Sequence, residues 1–245
     1  MTQSRDIVKI ITRNLASLRA RIEAACKRAG RDPAGVTLIA VTKYHGVEVM
    51  EAVAAAGLQD IGENRLQVAE PKLMALKAKV RRHFIGPLQT NKTKRVLELF
   101  DIIHSLDRLA LADVIDKRAV QAGRATVGCF VEVNTSGEAS KSGLAPSQLI
   151  ETLEEIRQKY HRIELLGLMT MAAQTEDAGR VRASFQRLRE LRDEAVANGK
   201  MTPAFGGLSM GMSGDFEIAI EEGATHIRIG TALYEGLPES SAGAG

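Results

Sequence analysis

The sequence predicts an α/β fold in which eight strands alternate with helices and close into a (β/α)8 TIM barrel, with one additional helix at the N-terminus. Short runs rich in apolar and β-branched residues, typical of parallel strands covered on both faces, recur eight times along the chain. A helical pattern follows each run, and this alternation over about 200 residues is typical of a barrel. A doubly wound open sheet is the rival fold, but no glycine-rich turn follows the first strand, which disfavours it.

The additional helix comes first. Its apolar residues recur every three or four positions, which indicates one buried face. Gly30 is suited to end it as the C′ residue, so we expect the helix to run from Ser4 to about Ala29.

The barrel elements follow in regular order. The predicted strands span residues 36–43, 59–63, 83–86, 101–106, 126–133, 163–168, 205–209 and 225–229. The predicted helices span residues 49–56, 64–80, 91–99, 108–122, 146–160, 175–198 and 214–222, and a short one begins at 231. Pro71 should break or kink the second of these. We expect a single domain over 1–245, with the N-terminal helix in 1–30, the barrel in 36–236 and a flexible tail in 237–245.

Composition limits the possible functions. The hydrophobic share of 44% and the charged share of 26% are those of a soluble globular protein. No apolar run is long enough to span a bilayer and no secretory signal begins the chain, so we expect a cytoplasmic protein without a membrane partner. Cys26 and Cys129 fall in a predicted helix and strand, which favours buried thiols over a disulfide or metal site. A net charge of +3 with 4% aromatic residues does not favour nucleic-acid binding.

Lys43 stands at the end of the first predicted strand. In a barrel this is the carboxyl end of the strand, where ligands bind. A partly desolvated amine on a stiff strand is suited to form a Schiff base with a carbonyl compound. A solvent-exposed lysine at the end of a strand is the alternative interpretation.

Polar residues also follow most of the other predicted strands. Each position alone is ordinary for a loop, but together they indicate an active-site face at one end of the barrel. They are Glu63, Asn64, Gln89, Asn91, Ser105, Asn134, Met169 and Thr170.

Two loops near the end of the chain indicate an anion site. The loop at 209–215 follows the seventh strand, and the loop at 228–231 follows the eighth. Small and hydroxylated residues at two successive helix N-termini leave backbone N–H groups for a phosphate, and barrels usually bind phosphate at these loops. Ordinary N-capping by Ser213 and Thr231 is the alternative. A lysine after strand one beside a phosphate site at strand eight is what pyridoxal 5′-phosphate (PLP) requires.

Several ordered motifs carry a resemblance to a known family. The sequence resembles the pyridoxal phosphate homeostasis proteins (proline synthetase co-transcribed homologues), which have the fold of the alanine racemase barrel domain, the fold type III PLP-binding barrel. The resemblance extends from Ile39 to about Gly236. The matching stretches are AVTK at 40–43, IGENR at 61–65, HFIGPLQTNK at 83–92, SKSG at 140–143, GLMT at 167–170, SMGMS at 209–213 and RIGT at 228–231.

The resemblance implies a function and a set of cofactor-binding residues. Members of the family bind and distribute PLP, with no well-established turnover. By resemblance, Lys43 carries the Schiff base and Arg228 faces the pyridine nitrogen. Asn64 lies near the ring, and the phosphate is held by Ser213, Gly230 and Thr231, together with Ser209. We therefore expect a PLP carrier with little or no catalysis, no catalytic residue and no metal.

Two other functions remain open at this stage. The first is a weak PLP-dependent amino-acid racemase or lyase. A racemase needs two bases, and related racemases take the second, a tyrosine, from a separate β domain that we do not expect here. The three tyrosines, Tyr44, Tyr160 and Tyr234, offer no obvious substitute.

The second alternative is an RNA-binding or anion-binding module that uses Lys92, Lys94 and Arg95. These charges are more simply a solvated helix face. For the carrier, apo forms of PLP-dependent enzymes are the expected recipients, and we expect a monomer rather than a dimer.

Overall fold

Eight parallel strands close into a barrel, and each strand pairs with its neighbours in sequence. The computed structural model describes residues 2–138, 141–201 and 204–237. The strands are β1 (Thr37–Val41), β2 (Asp60–Glu63), β3 (Arg81–Phe84), β4 (Ile102–Leu106), β5 (Val127–Glu132), β6 (Ile163–Met169), β7 (Gly207–Met212) and β8 (His226–Ile229). β8 closes the barrel by pairing with β1, where Ala40 lies beside Ile229. The predicted (β/α)8 fold is confirmed.

Helices surround the barrel, and the N-terminal helix packs outside it. They are α1 (Thr2–Arg28), α2 (Val47–Ala55), α3 (Leu66–Ala75), α4 (Thr93–Leu99), α5 (Leu109–Gln121), α6 (Leu149–Lys159), α7 (Ala178–Ala197), α8 (Phe216–Glu221) and α9 (Thr231–Tyr234). Helix α1 contacts α2, α8 and α9. Its buried face includes Ile11, Leu15 and Leu18, as the apolar spacing predicts. The additional helix therefore covers the outside of the barrel where β8 meets β1.

Several boundaries differ from the sequence-based expectation, and β3, for example, spans Arg81–Phe84 instead of 83–86. β1 ends at Val41 rather than at Lys43, because the chain turns there and His45 N–H donates to the Thr42 carbonyl at 2.9 Å. Helix α3 accommodates Pro71 but ends at Ala75 instead of continuing to 80. β7 runs over 207–212 instead of 205–209, and its pairing with β8 shifts register between Ser209 and Met212.

The barrel interior is unusually polar. Successive side chains of a strand face alternately the helices and the barrel axis. In β8, Ile227 and Ile229 pack with the helices, so His226 and Arg228 face the axis. The His104 ring stacks on Phe130 with centroids 4.5 Å apart, and Phe130 meets His226 at 4.9 Å. Barrel interiors are usually filled by branched aliphatic side chains, so these polar residues call for an explanation.

Three further expectations concern the cysteines, membrane-spanning helices and the domain organisation. Cys26 and Cys129 are both buried and free. None of the helices in the described ranges combines the length and apolar character needed to span a bilayer. The single-domain assignment stays a prediction, and residues 238–245 of the expected flexible tail lie outside the described residues.

Candidate functional site

Lys43 lies in the turn that follows β1, at the carboxyl end of the barrel. It is half-buried, and its ammonium lies 4.8 Å from the centre of the Tyr44 ring. The preceding residue is fixed from behind, because Lys72 of α3 donates to the Thr42 carbonyl at 3.1 Å. The start of the turn that carries Lys43 is therefore held against the helix layer.

The group that fixes this turn is a buried ion pair. Glu63 Oε1 accepts from Lys72 Nζ at 2.6 Å and from Thr42 Oγ1 at 2.6 Å. Burial raises the pKa of Glu63, although the charge and hydrogen bond of Lys72 oppose the shift. Glu63 thus faces the helices rather than the barrel axis, so it supports Lys43 from outside. Lys72 lies on a helix outside every motif, so no sequence pattern pointed to it.

Ser213 joins the two loops that were predicted to bind an anion. Its hydroxyl accepts from the backbone N–H of Gly230 at 3.2 Å and of Ala232 at 3.4 Å. Helix α8 begins only at Phe216, and the Asp215 carboxylate accepts from Met212 N–H. N-capping of α8 by Ser213 is therefore wrong, and its hydroxyl lies instead at the start of α9.

The second loop lies directly beside the lysine strand. A Cβ placed on Gly230 would lie 3.8 Å from Val41 Cβ, so the loop contacts the end of β1. Thr231 is the first residue of α9, and no side-chain cap is formed at this helix start. Ser213, Gly230 and Thr231 are thus brought together near the turn of Lys43.

Arg228 lies below this loop with its charge almost fully buried. Its guanidinium donates to the Ser209 carbonyl at 2.9 Å, to Ser209 Oγ at 2.7 Å and to the Thr170 carbonyl at 2.9 Å. Burial lowers its pKa to about 10, and the charges of Asp215 and Glu132 oppose this shift. Within the described ranges it forms no ion pair, so the alternative of pairing with Glu63 or Asp215 is not observed. Three hydrogen bonds still leave guanidinium N–H groups for a ligand.

Ser209 differs from its expected role. Its side chain is fully buried, and its hydroxyl contacts Arg228 and His104 rather than the loops at Ser213 and Gly230. This placement gives no support to Ser209 as a phosphate ligand. The longer course of β7 explains the difference, because it carries the chain from Ser209 to Met212 before the loop begins.

Asn64 follows β2 and borders an open cavity. Its backbone packs closely against Gly86. A Cβ added to Gly86 would lie only 2.0 Å from the Asn64 carbonyl oxygen, so this position has no room for a side chain. The cavity has a volume of about 660 Å³, and its rim carries the cations of Arg65 and Lys92. Its lining consists of Asn64, Arg65, Leu66, Gln67, Val68, Phe84, Pro87, Leu88, Gln89 and Lys92.

Other polar residues from the sequence have structural roles. The Asn134 side chain donates to the Glu138 carbonyl at 2.9 Å and organises its own loop. Ser105 is buried, and its hydroxyl has no hydrogen-bond partner in the described part of the chain. Ser105 lies where the pairing of β4 with β5 shifts register, between Ile103 and Leu106. Lys141 donates to the Ala172 carbonyl at 2.5 Å, which ties the loop after β5 to the loop after β6.

One end of the barrel therefore presents three complementary groups. They are the amine of Lys43, the hydroxyl and N–H groups of the Ser213–Gly230 contact, and the guanidinium of Arg228. An amine can bond to an aldehyde, and hydroxyl and N–H donors suit a phosphate. The donor set fits a ligand that carries an aldehyde, a phosphate and a ring atom able to accept a hydrogen bond.

Comparison with known proteins identifies the family. Residues 13–238 match the family model "Alanine racemase, N-terminal domain". The pyridoxal phosphate homeostasis protein of Pseudomonas aeruginosa is 43% identical over 225 residues, covering 91% of this chain and 94% of that protein. The one from Aquifex aeolicus is 44% identical over 221 residues, with 90% and 95% covered. The chain belongs to the pyridoxal phosphate homeostasis protein family.

Solved structures agree with this family assignment. PipY of Synechococcus elongatus, in a structure with PLP bound, is 33% identical with a TM-score of 0.78, covering 91% of this chain and 99% of PipY. Without PLP its TM-score is 0.80. Alanine racemase from Corynebacterium glutamicum shares the fold alone, with 15% identity and a TM-score of 0.68, and this chain covers 64% of that longer protein.

Glu132, at the carboxyl end of β5, generates a prediction about pH. Burial raises its pKa to about 7, from an unfolded value of 4.5, and Asp107 adds to the shift. The folded state therefore retains a proton that the unfolded state loses, so stability falls as the pH rises from 4.5 to 7. Glu132→Gln removes this loss. The free energy of unfolding is measured in urea at pH 4.5 and at pH 8 for both proteins. Between these pH values, the stability of the variant relative to wild type should rise by about 2–3 kcal/mol. An equal difference at both pH values would contradict the raised pKa.

Proposed function

We propose that this protein binds PLP as a Schiff base with Lys43 and acts as an intracellular carrier of the cofactor, with little or no catalysis. The convergence of Lys43, Ser213 with Gly230, and Arg228 at one end of the barrel carries this proposal. The names of the curated relatives and the PLP complex of PipY support it.

Ser213, Gly230 and Thr231 would hold the phosphate. The Ser213 hydroxyl already accepts from two N–H groups at the start of α9, so a phosphate could take up the same donors and the hydroxyl as well. Thr231, the exposed first residue of α9, would add a further hydroxyl donor. Asn64 would lie beside the ring, at the edge of the cavity.

Arg228 is the reason to expect a poor catalyst. PLP supplies an electron sink for carbanion chemistry, and the sink is strongest when the ring nitrogen is protonated. A guanidinium has hydrogen-bond donors only, so a ring nitrogen that contacts Arg228 must accept and remain unprotonated. The protein's own residues therefore favour holding the cofactor over activating it.

A weak racemase or lyase is the alternative within the same cofactor class. Tyr234 is a poor second base, because it is 6% exposed and packs in the helix layer. Burial raises the pKa of its hydroxyl further above the usual range. Two-base chemistry thus has no support from this tyrosine.

The anion-binding module gains no support either. Arg95, one of its three cations, pairs with Glu70 at 2.7 Å and with Glu98 at 2.7 Å. These carboxylates neutralise the charge that such a module would need. The cytoplasmic location, the monomeric state and the recipient apo-enzymes stay predictions.

Lys43 should carry the bound cofactor. Borohydride reduction of the PLP-loaded protein, followed by peptide mass mapping, should place a phosphopyridoxyl group on Lys43 and abolish the visible absorption band. Lys43→Ala should lose both signals, because Lys72, the other amine that contacts this turn, is paired with the buried Glu63. Lys141→Ala is the matched control, a half-buried lysine at the same end of the barrel, and should retain the adduct. An adduct mainly on Lys141, or one that persists in Lys43→Ala, would contradict the assignment.

Ser213 should act on the phosphate of the ligand. Losing a charge-assisted hydrogen bond costs about 1.5–3 kcal/mol, so Ser213→Ala should weaken PLP binding about tenfold or more. Pyridoxal has no phosphate, and its affinity should not change. Ser184→Ala removes a buried hydroxyl that donates within α7, on the outside of the barrel, and titrations should show wild-type affinity for both ligands. Equal weakening of PLP and pyridoxal by Ser213→Ala would mean that the loop acts through folding.

A further inference from the structure

A row of hydrogen-bonded side chains crosses the barrel interior and ends at Arg228. Asp60 Oδ1 contacts His83 Nε2 at 2.8 Å, and His83 Nδ1 contacts His104 Nε2 at 2.8 Å. His104 Nδ1 contacts Ser209 Oγ at 2.9 Å, and Ser209 Oγ accepts from Arg228 at 2.7 Å. β4 and β7 are not neighbours in the barrel, so the contact between His104 and Ser209 spans the interior. The row joins the amino end of β2 to the cofactor end of β8.

With both histidines neutral, the two ends of the row set the direction of every hydrogen bond in it. Arg228 can only donate, so the Ser209 hydroxyl accepts from it and keeps its own proton for His104 Nδ1. An ionised Asp60 can only accept, so His83 Nε2 carries a proton. With both histidines neutral, His104 Nε2 donates to His83 Nδ1 and every contact in the row is satisfied. A charged His83 would reverse the middle of the row and leave the buried Ser209 proton without an acceptor in it.

The charges at the two ends agree with this direction. Burial favours the protonated form of Asp60, but its contacts with His83, followed by those with Arg81, outweigh it and hold the Asp60 pKa below its usual value. His104 is fully buried, and burial lowers its pKa well below the usual value. A carboxylate at one end therefore faces a guanidinium at the other through two imidazole rings and a hydroxyl.

The row also explains the polar interior. Arg228 has no ion-pair partner within the described ranges, and a buried unpaired charge is costly. Asp60 supplies the opposite charge through the polarised row. The Asp60 carboxylate also pairs with the guanidinium of Arg81 at 2.7 Å. An aliphatic interior would fill the same space without orienting the Ser209 hydroxyl.

We propose that Asp60, His83 and His104 are positioning residues for the ring nitrogen of the cofactor, acting through Ser209 on Arg228. They turn the Ser209 hydroxyl proton away from Arg228, which fixes the guanidinium in one orientation with its remaining N–H groups towards the ligand. The row thereby sets a preference for a ring atom that accepts a hydrogen bond. This inference rests on the proposed binding of PLP.

The first test uses the protein without any ligand. Nitrogen-15 NMR of the histidine rings at pH 7 should show His83 and His104 both neutral and both protonated at Nε2. Thr225 Oγ1 contacts His226 Nδ1 at 2.8 Å, which gives a half-buried reference histidine outside the row. A proton on His104 Nδ1, or a charged His83, would overturn the proposed direction.

The second test compares PLP with 1-deazapyridoxal 5′-phosphate, in which a C–H replaces the ring nitrogen. Wild type should prefer PLP, because only PLP can accept from Arg228. His104→Phe keeps a ring against Phe130 but breaks the row, and it should reduce the preference at least about threefold. Asp60→Asn keeps an acceptor for His83 while removing the charge, and should reduce the preference in the same direction. His226→Phe is the matched control and should leave the preference unchanged.

The outcomes separate this inference from the proposed function. If wild type binds neither ligand, the proposed function fails and the inference fails with it. If both ligands bind and each row variant weakens them equally, the row is only structural and this inference alone is overturned. If His104→Phe does not fold, Asp60→Asn and the NMR measurement on wild type decide the outcome.

Discussion

The site depends on one constraint, the pairing of β8 with β1. This pairing places Thr37 beside His226 and Ala40 beside Ile229, so the first and last strands of the barrel become neighbours. The turn that carries Lys43 then lies next to the loop of Gly230, although most of the chain separates them in sequence. An amine and an anion site are brought together by barrel closure alone. The loops themselves need few contacts, and the Ser213 hydroxyl supplies the contact between them.

A buried positive charge gives the site its chemical character. Arg228 is held by carbonyl and hydroxyl oxygens rather than by a carboxylate, and it keeps N–H groups for a ligand. Such a partner favours an unprotonated ring nitrogen and so weakens the electron sink that makes PLP a catalyst. The same arrangement would still allow tight binding of the phosphate and a reversible bond to Lys43. Under the proposed function, these two features together would allow retention of the cofactor without turnover.

The sequence predicted the parts of the site that lie in loops, and it missed the parts built across the barrel. Lys43 and Ser213 were visible because each follows a run of apolar residues, and the carboxyl ends of parallel strands must meet. The contacts of His104 with His83 and Ser209 join strands far apart in sequence, so only the closed barrel shows them. The contact of Ser209 with Arg228 was missed for the same reason. Glu132 could have been singled out from the sequence, because it is an acidic residue inside a predicted buried strand, but the prediction considered mainly the loops.

The central claim is that this protein holds PLP without activating it. The most direct measurement follows the α-hydrogen of D- and L-alanine by NMR in D2O, with the PLP-loaded wild-type protein and with an equal concentration of free PLP. The account predicts that exchange with the protein stays near the rate given by free PLP and does not saturate with alanine. Rapid, saturable exchange by the wild-type protein would contradict it.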